Sequence, residues 1–331
     1  MFHAAAAVLL TLIFGLPVLG LAALSSALPA SSIAHAAFLV LAPVLYALGF
    51  VLTAGLFSLP FHRAIVPGSF PRDLSAPAYR HRRFYGLCWT AVFYFTPIYW
   101  MFLTVPPLKT LLFRLFGYRG QMRFTVYPDT WIRDLPLLEL GEGAYVANKA
   151  TLGTNVCLND GTILVDRVSL AKGTMVGHLT MLAPGVVMEE GSEVGVGVAL
   201  GMRARLEPGV SIGACSQVGH LVRMETGSST GSSVDVGAGA RIGPGIHVPG
   251  GTFVPKRARW RTAEDLCAAP SRGRAGPISP AARAEVAPVA PVRDVAANGA
   301  EATGLEGRRI VDRVAAAGAT AEFRAHWNAF E

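Results

Sequence analysis

Two tripeptides end in histidine, Val176-Gly177-His178 and Val218-Gly219-His220. Imidazole ordinarily titrates nearest neutral pH, so a histidine at a turn is a first candidate for taking a proton from an attacking hydroxyl or amine. Asp160 and Glu142 stand 18 and 36 residues before His178. A carboxylate against the ring would hold one tautomer and favour the imidazolium. His178 is read as the base and Asp160 as its orienting partner. His220 is either a turn residue or, in a site, a substrate contact or the base itself. Asn148, Asn155, Asp166 and Lys172 occupy turns near the base of the repeat, where they either shape the chain, as Asn and Asp commonly do, or contact an acceptor arriving from the membrane. The four cysteines, Cys88, Cys157, Cys215 and Cys267, form no CxxC. Neither a zinc ribbon nor a disulfide framework is indicated.

A period of six supplies the positions of these side chains. Stepping by six from Leu140 through Val146, Leu152, Leu158, Leu164, Leu170 and Val176 to Val254 gives 20 places in phase, 19 of them apolar. Two residues earlier stands a small or β-branched class, including Ala144, Ala150, Val168, Thr174 and Thr180, and glycine often follows the apolar residue. Neither a helix nor an ordinary strand has this period. A β-solenoid does, each hexad being one short strand and a turn. Three hexads close a triangular coil of 18 residues, so 20 hexads make six to seven coils, about 30 Å tall at about 4.8 Å per coil. The phase never slips, so no extruded loop is expected. Residues 18 apart then share a corner, which puts Asp160 directly beneath His178. His220 lies seven hexads from His178, on another corner.

The 331 residues are 52% hydrophobic and 15% charged, with a mean hydropathy of +0.42. A wholly disordered chain is excluded by that apolar content. Net charge is +8 in residues 1–123, −4 in 124–255 and +3 in 256–331. The basic excess therefore lies in the most apolar third and flanks membrane segments; it does not mark a nucleic-acid face. Residues 4–24 and about 35–59 carry no Lys, Arg, Asp or Glu. Each is long enough to span a bilayer, and together they predict a transmembrane hairpin over 1–60. The connection at 25–34 lacks Lys and Arg, whereas Arg63, Arg72, Arg80, Arg82 and Arg83 follow the second span. By the positive-inside rule, both the N-terminus and everything after residue 60 face the cytoplasm of a multi-pass inner-membrane protein. The aromatic stretch 85–107, inside a basic region 61–124, has arginines on both sides and reads as re-entrant or in-plane, the alternative being a third span that would put the next domain outside. Trp131, in 125–140, is expected to cap the first coil.

The segments LGTN, VGHLTMLAPG, ALGMRARLEPG, SIGACSQVGH and ARIGPG resemble the left-handed parallel β-helix of hexapeptide-repeat acyltransferases over residues 138–256. Behind membrane helices, the arrangement is also similar to the membrane-embedded C-terminal acyltransferase-like units of poly-amino-acid synthetases. The resemblance implies a β-helix domain over 125–257 and acyl transfer, perhaps of acetyl, from coenzyme A to a hydroxyl or amine. It implies acyl-CoA as co-substrate with no permanently bound cofactor, and a homotrimer with sites between subunits. The anchor favours membrane lipids as surroundings and a membrane-associated or envelope-precursor acceptor. Arg203, Arg205, Arg223, Arg241 and Lys256, in the later coils, are the expected contacts for coenzyme A phosphates. Related zinc-dependent carbonic anhydrases have a second histidine where this chain has Ala183, so no metal is expected. Two other readings stand beside this one: amide-bond formation from an aminoacyl thioester on a separate carrier protein, and a non-catalytic scaffold. Residues 258–305 read as a disordered linker and 306–331 as an amphipathic helix.

Overall fold

The computed structural model describes residues 2–29, 31–262 and 264–265. Two apolar helices lead, α1 (Phe2–Ser26) and α2 (Ser32–Ser58). Both are long and apolar enough to cross a membrane. Their outer surfaces carry exposed Val8, Leu19, Leu39 and Val40, an arrangement suited to lipid and not to water. A short strand β1 (Gly68–Pro71) precedes α3 (Pro77–Tyr94), α4 (Thr96–Thr104) and α5 (Pro106–Leu115). Each of these three helices has proline in its first two positions, where no amide hydrogen bond is lost. The aromatic stretch is not one straight span, because α3 and α4 meet at 83°.

The solenoid is three parallel sheets of seven strands each. The first face runs from Thr125–Val126 to His247–Val248, the second from Trp131–Ile132 to Phe253–Val254, and the third from Leu138–Leu140 to Arg259–Trp260. In each rung the residue at the repeat position points inward, as the period of six requires. Val146, Leu152, Val176, Leu182 and Leu200 are buried to within 1%. The small class fills the corners, with Ala150, Thr174, Thr180 and Ala204 fully buried. The upper end passes the expected boundary, since Arg259–Trp260 pairs with Arg241–Ile242 and Trp260 closes the core. The expected linker therefore starts later than residue 258. The rest of it, and the expected C-terminal helix, lie outside the described residues.

Three expectations are corrected. Coils in the upper part are 18 residues apart, as in Val176 against Val194. Lower down, Val146 pairs with Val176 and Leu152 with Leu182, a step of 30. The extra twelve residues leave the solenoid between its second and third faces as an antiparallel hairpin, Asn155–Cys157 against Thr162–Val165. That hairpin adds β1 as its third strand. Leu158 is accordingly 37% exposed and fills no core. Secondly, the lowest coil steps by 20 residues, Ile132 pairing with Leu152. Thirdly, Trp131 does not plug the first coil. It stands on the outside and meets Phe93 and Tyr94 of α3. The base is closed instead by Trp89, Phe116, Tyr118 and Phe124, all in the same apolar cluster as Ile132 and Leu140. Arg82 of α3 and Asp134 of the first coil form a buried ion pair, their side chains 3% and 0% exposed. Thr154 donates to the same carboxylate.

Candidate functional site

His178 sits at the corner between the first and second faces, in the two-residue turn after Met175–Val176. Gly177 is required there, because a Cβ on it would stand 2.5 Å from the carbonyl carbon of Gly195 in the next coil. Only a residue without a side chain lets the coils stack at this height. The turn is completed by Leu179 at φ +58°, and the His178 carbonyl accepts the Gly197 amide at 2.8 Å. The backbone is thus tied on both sides while the imidazole is exposed.

The residue beneath His178 is Asn148 and not Asp160. The pairing of Val146 with Val176 and of Thr151 with Met181 brings positions 148 and 178 together, and the Leu179 amide donates to the Asn148 carbonyl at 3.2 Å. The side-chain Oδ1 of Asn148 is buried without a hydrogen-bond partner. An amide oxygen in that state is an acceptor held ready for a donor. Asp160 lies at the hairpin turn, where its Oδ1 accepts the Thr162 amide at 2.8 Å. The hydrogen bonds from Thr162 hold its carboxyl below the usual range. Its task is that of a turn residue, and the Asp160–His178 dyad does not form.

The other expected residues separate by corner and face. Asn155 starts the hairpin. Asp166 ends it, pairing with the Arg203 guanidinium at 3.1 Å. His220 stands on the second corner, with Nδ1 accepting the Met202 amide at 2.9 Å. A backbone amide only donates, so that nitrogen's lone pair is engaged and the neutral ring's proton lies on Nε2. The bond from Met202 ties the His220 ring to the coil below it. Lys256 shares its corner. Arg205, Arg223 and Arg241 stack on the outside of the third face. Arg205 pairs with Glu189 and Arg223 with Glu207, so each guanidinium already has a carboxylate. Arg241 shares an open cleft of about 320 Å³ with Glu225, Arg259, Trp260 and Arg261. The five expected phosphate contacts thus fall into two groups, Arg203 with Lys256 at the second corner and the three stacked arginines on the third face. Among the described residues no three His, Cys, Asp or Glu side chains group as a metal site.

The sequence offers Asn148 as a turn residue or an acceptor contact near the base, and does not show its place under His178. The signal was there in Asn159-Asp160-Gly161 between two strand-like runs, a hairpin turn signature.

No protein-family model matches the chain, and no curated protein matches it by sequence. Among solved structures, a perosamine N-acetyltransferase from Caulobacter crescentus, determined with CoA and GDP-perosamine, is 19% identical with a TM-score of 0.25. That alignment covers 45% of this chain and 60% of the other. The acetyltransferase domain of PglB from Neisseria gonorrhoeae, in complex with acetyl coenzyme A, is 18% identical with a TM-score of 0.25, over 46% and 62%. A serine O-acetyltransferase from Brucella melitensis is 14% identical with a TM-score of 0.18, over 65% and 71%. The chain thus spans about three fifths of the first two.

Proposed function

We propose that the protein transfers an acyl group from coenzyme A to a hydroxyl or amine of a membrane-associated acceptor, with His178 as the general base. The observation that carries this reading is an exposed imidazole on a rigid turn above a buried, unpartnered amide oxygen. In the working geometry the Asn148 Oδ1 accepts the proton of the nearer ring nitrogen, which leaves the other nitrogen's lone pair facing outward. That nitrogen takes the acceptor's proton as its oxygen or nitrogen bonds to the thioester carbon. The C–S bond breaks, and the imidazolium returns the proton to the leaving thiolate. General-base assistance of this kind is worth about 10²–10⁴ in rate.

Asn148 takes the positioning role first given to Asp160. Arg241 and Lys256 have no ion pair among the described residues, which makes them better candidates for coenzyme A phosphates than Arg205 or Arg223. The basic residues after α2 support a cytoplasmic solenoid. A trimer completing the site between subunits belongs to the same reading.

The test uses full-length protein in lipid nanodiscs with radiolabelled acetyl-CoA and a membrane extract as acceptor. Label should enter the extract with the wild type, and His178→Ala should lower the rate about 100-fold or more with unchanged melting. A full rate in His178→Ala would remove the assignment. Absence of both transfer and acetyl-CoA binding in the wild type would leave the scaffold reading.

A further inference from the structure

Helix α3 touches both parts of the molecule, and its two sets of contacts run in step. Toward the apolar hairpin, Phe84 stacks on Phe61 with ring centroids 5.4 Å apart, and Phe95 meets Phe50 at 5.5 Å. Helix α3 therefore runs back alongside the second half of α2. Toward the solenoid, Arg82 pairs with Asp134, the Trp89 indole donates to the Ile132 carbonyl, and Tyr94 lies 5.9 Å from Trp131. The same helix thus follows the base of the second face, from the corner that bears the extruded hairpin to the corner that bears His178.

The eleven helical residues from 84 to 94 advance about 15 Å. If α2 crosses a bilayer, the Asp134 end of the second face lies level with its exit, near Phe61. The Trp131 end is carried inward toward Phe50. At that end Tyr94 is 69% and Trp100 58% exposed, and amphipathic rings of this kind favour the membrane interface. The corner above them is also short of charge. From His178 onward its turn pairs are Val196-Gly197, Ala214-Cys215, Ser232-Ser233 and Gly250-Gly251, none of them charged, with Lys149 and Asp129 in the two turns below. Glu193 and Asp235 stand on the flanking faces, not in the turns. The second corner carries Arg203, Lys256 and Arg257, and the third Glu142, Lys172 and Glu190. An edge with no charged turn residue from His178 upward, and one residue of each sign in the two turns below, is the one of the three that can best approach a layer that excludes charge.

We infer that the corner bearing His178 is the edge the solenoid turns toward the bilayer, so that the imidazole meets a lipid-linked acceptor arriving over the Tyr94–Trp131 ledge. Trp131, Thr151 and Met181 stand on successive coils of the second face, so the coil of His178 begins about 10 Å from the ledge. The identity of the chemistry rests on the acyl-transfer reading; the orientation of the edge does not.

A matched pair of residues tests it. Leu179 and Leu221 each follow a histidine, each has a positive φ, and they are 46% and 62% exposed on the first and second corners. Nitroxides are placed on Leu179→Cys and Leu221→Cys, in full-length protein lacking its native cysteines, reconstituted in phosphatidylcholine–phosphatidylglycerol nanodiscs. Power saturation should show the 179 label relaxed more by oxygen than by a nickel chelate, and the 221 label the reverse. Equal access of the nickel chelate to both would overturn the orientation. So would a 179 label shielded from both relaxants, which would mark a protein contact. Because no turnover is read, loss of the acyl-transfer reading and loss of this orientation remain separate results.

Discussion

Excising residues 155–166 removes the whole hairpin and joins Thr154 to Arg167. The structure makes this splice feasible, since the Asp166 amide already donates to the Thr154 carbonyl at 3.0 Å. It also returns the step from Leu152 to Leu170 to one hexad. The cost comes chiefly from two side chains of the hairpin, Ile163 at 7% and Val165 at 1% exposure. Each is worth about 1.5–3 kcal/mol when fully buried, an upper estimate. The exposed Arg203–Asp166 pair adds little. Removing a closed loop of twelve residues recovers about 2 kcal/mol of closure entropy. The net loss is then about 1–4 kcal/mol, or a melting temperature lower by roughly 2–16 °C. Far-ultraviolet circular dichroism and differential scanning calorimetry of the detergent-purified variant measure it. The solenoid signal and a cooperative transition should remain, and acetyl transfer should persist although Asp160 has gone. If residues 155–166 instead filled two walls of a coil, Leu158 and Leu164 would leave the core. Loss of the cooperative transition would therefore refute the extruded hairpin.

The buried ion pair between α3 and the first coil gives a second expectation. Arg82→Ala leaves the Asp134 carboxylate buried without its cation, which typically costs about 3–5 kcal/mol. Limited proteolysis between the apolar helices and the solenoid should accelerate in Arg82→Ala and not in the exposed control Arg83→Ala. Acid stability supplies a third. The Glu207 carboxyl is held below its usual range first by the hydrogen bond from Arg223 and then by Thr226, and that of Glu139 first by Ser169 and then by Arg167. A carboxyl depressed by folding contributes stability that is complete above its unfolded value and is lost as pH falls through the folded one. The melting temperatures of wild type and Glu207→Gln should therefore differ at neutral pH and converge below about pH 4. A difference that grows on acidification would contradict that pairing.

Much of the fold was legible because it is one-dimensional. A hexad carries its own inward residue, corner residue and turn, and stacking repeats them, so Val176, Leu182 and Leu200 needed no distant partner to be placed. The same regularity hid the hairpin. Twelve residues are two whole hexads, so Leu158 and Leu164 keep the phase while standing outside the core, and the count of 18 led to Asp160 where the chain places Asn148. Asp134 was illegible for another reason. Its partner Arg82 lies 52 residues earlier on a different element, and no local pattern marks a charge that will be buried by such a meeting. The expectation that Trp131 caps the first coil follows from the need to close a solenoid's open end. The outward position of Trp131 follows from pairing with Thr151, a relation that the 20-residue first step conceals.

Which residue lies under His178 can be read chemically. In protein lacking its native cysteines, two double variants are oxidised with copper phenanthroline: Asn148→Cys with His178→Cys, and Asp160→Cys with His178→Cys. Facing positions on adjacent coils are about 4.8 Å apart, within disulfide reach. Rapid, near-complete bridging of 148 to 178, with none between 160 and 178, is the expected result; bridging of 160 to 178 would contradict it.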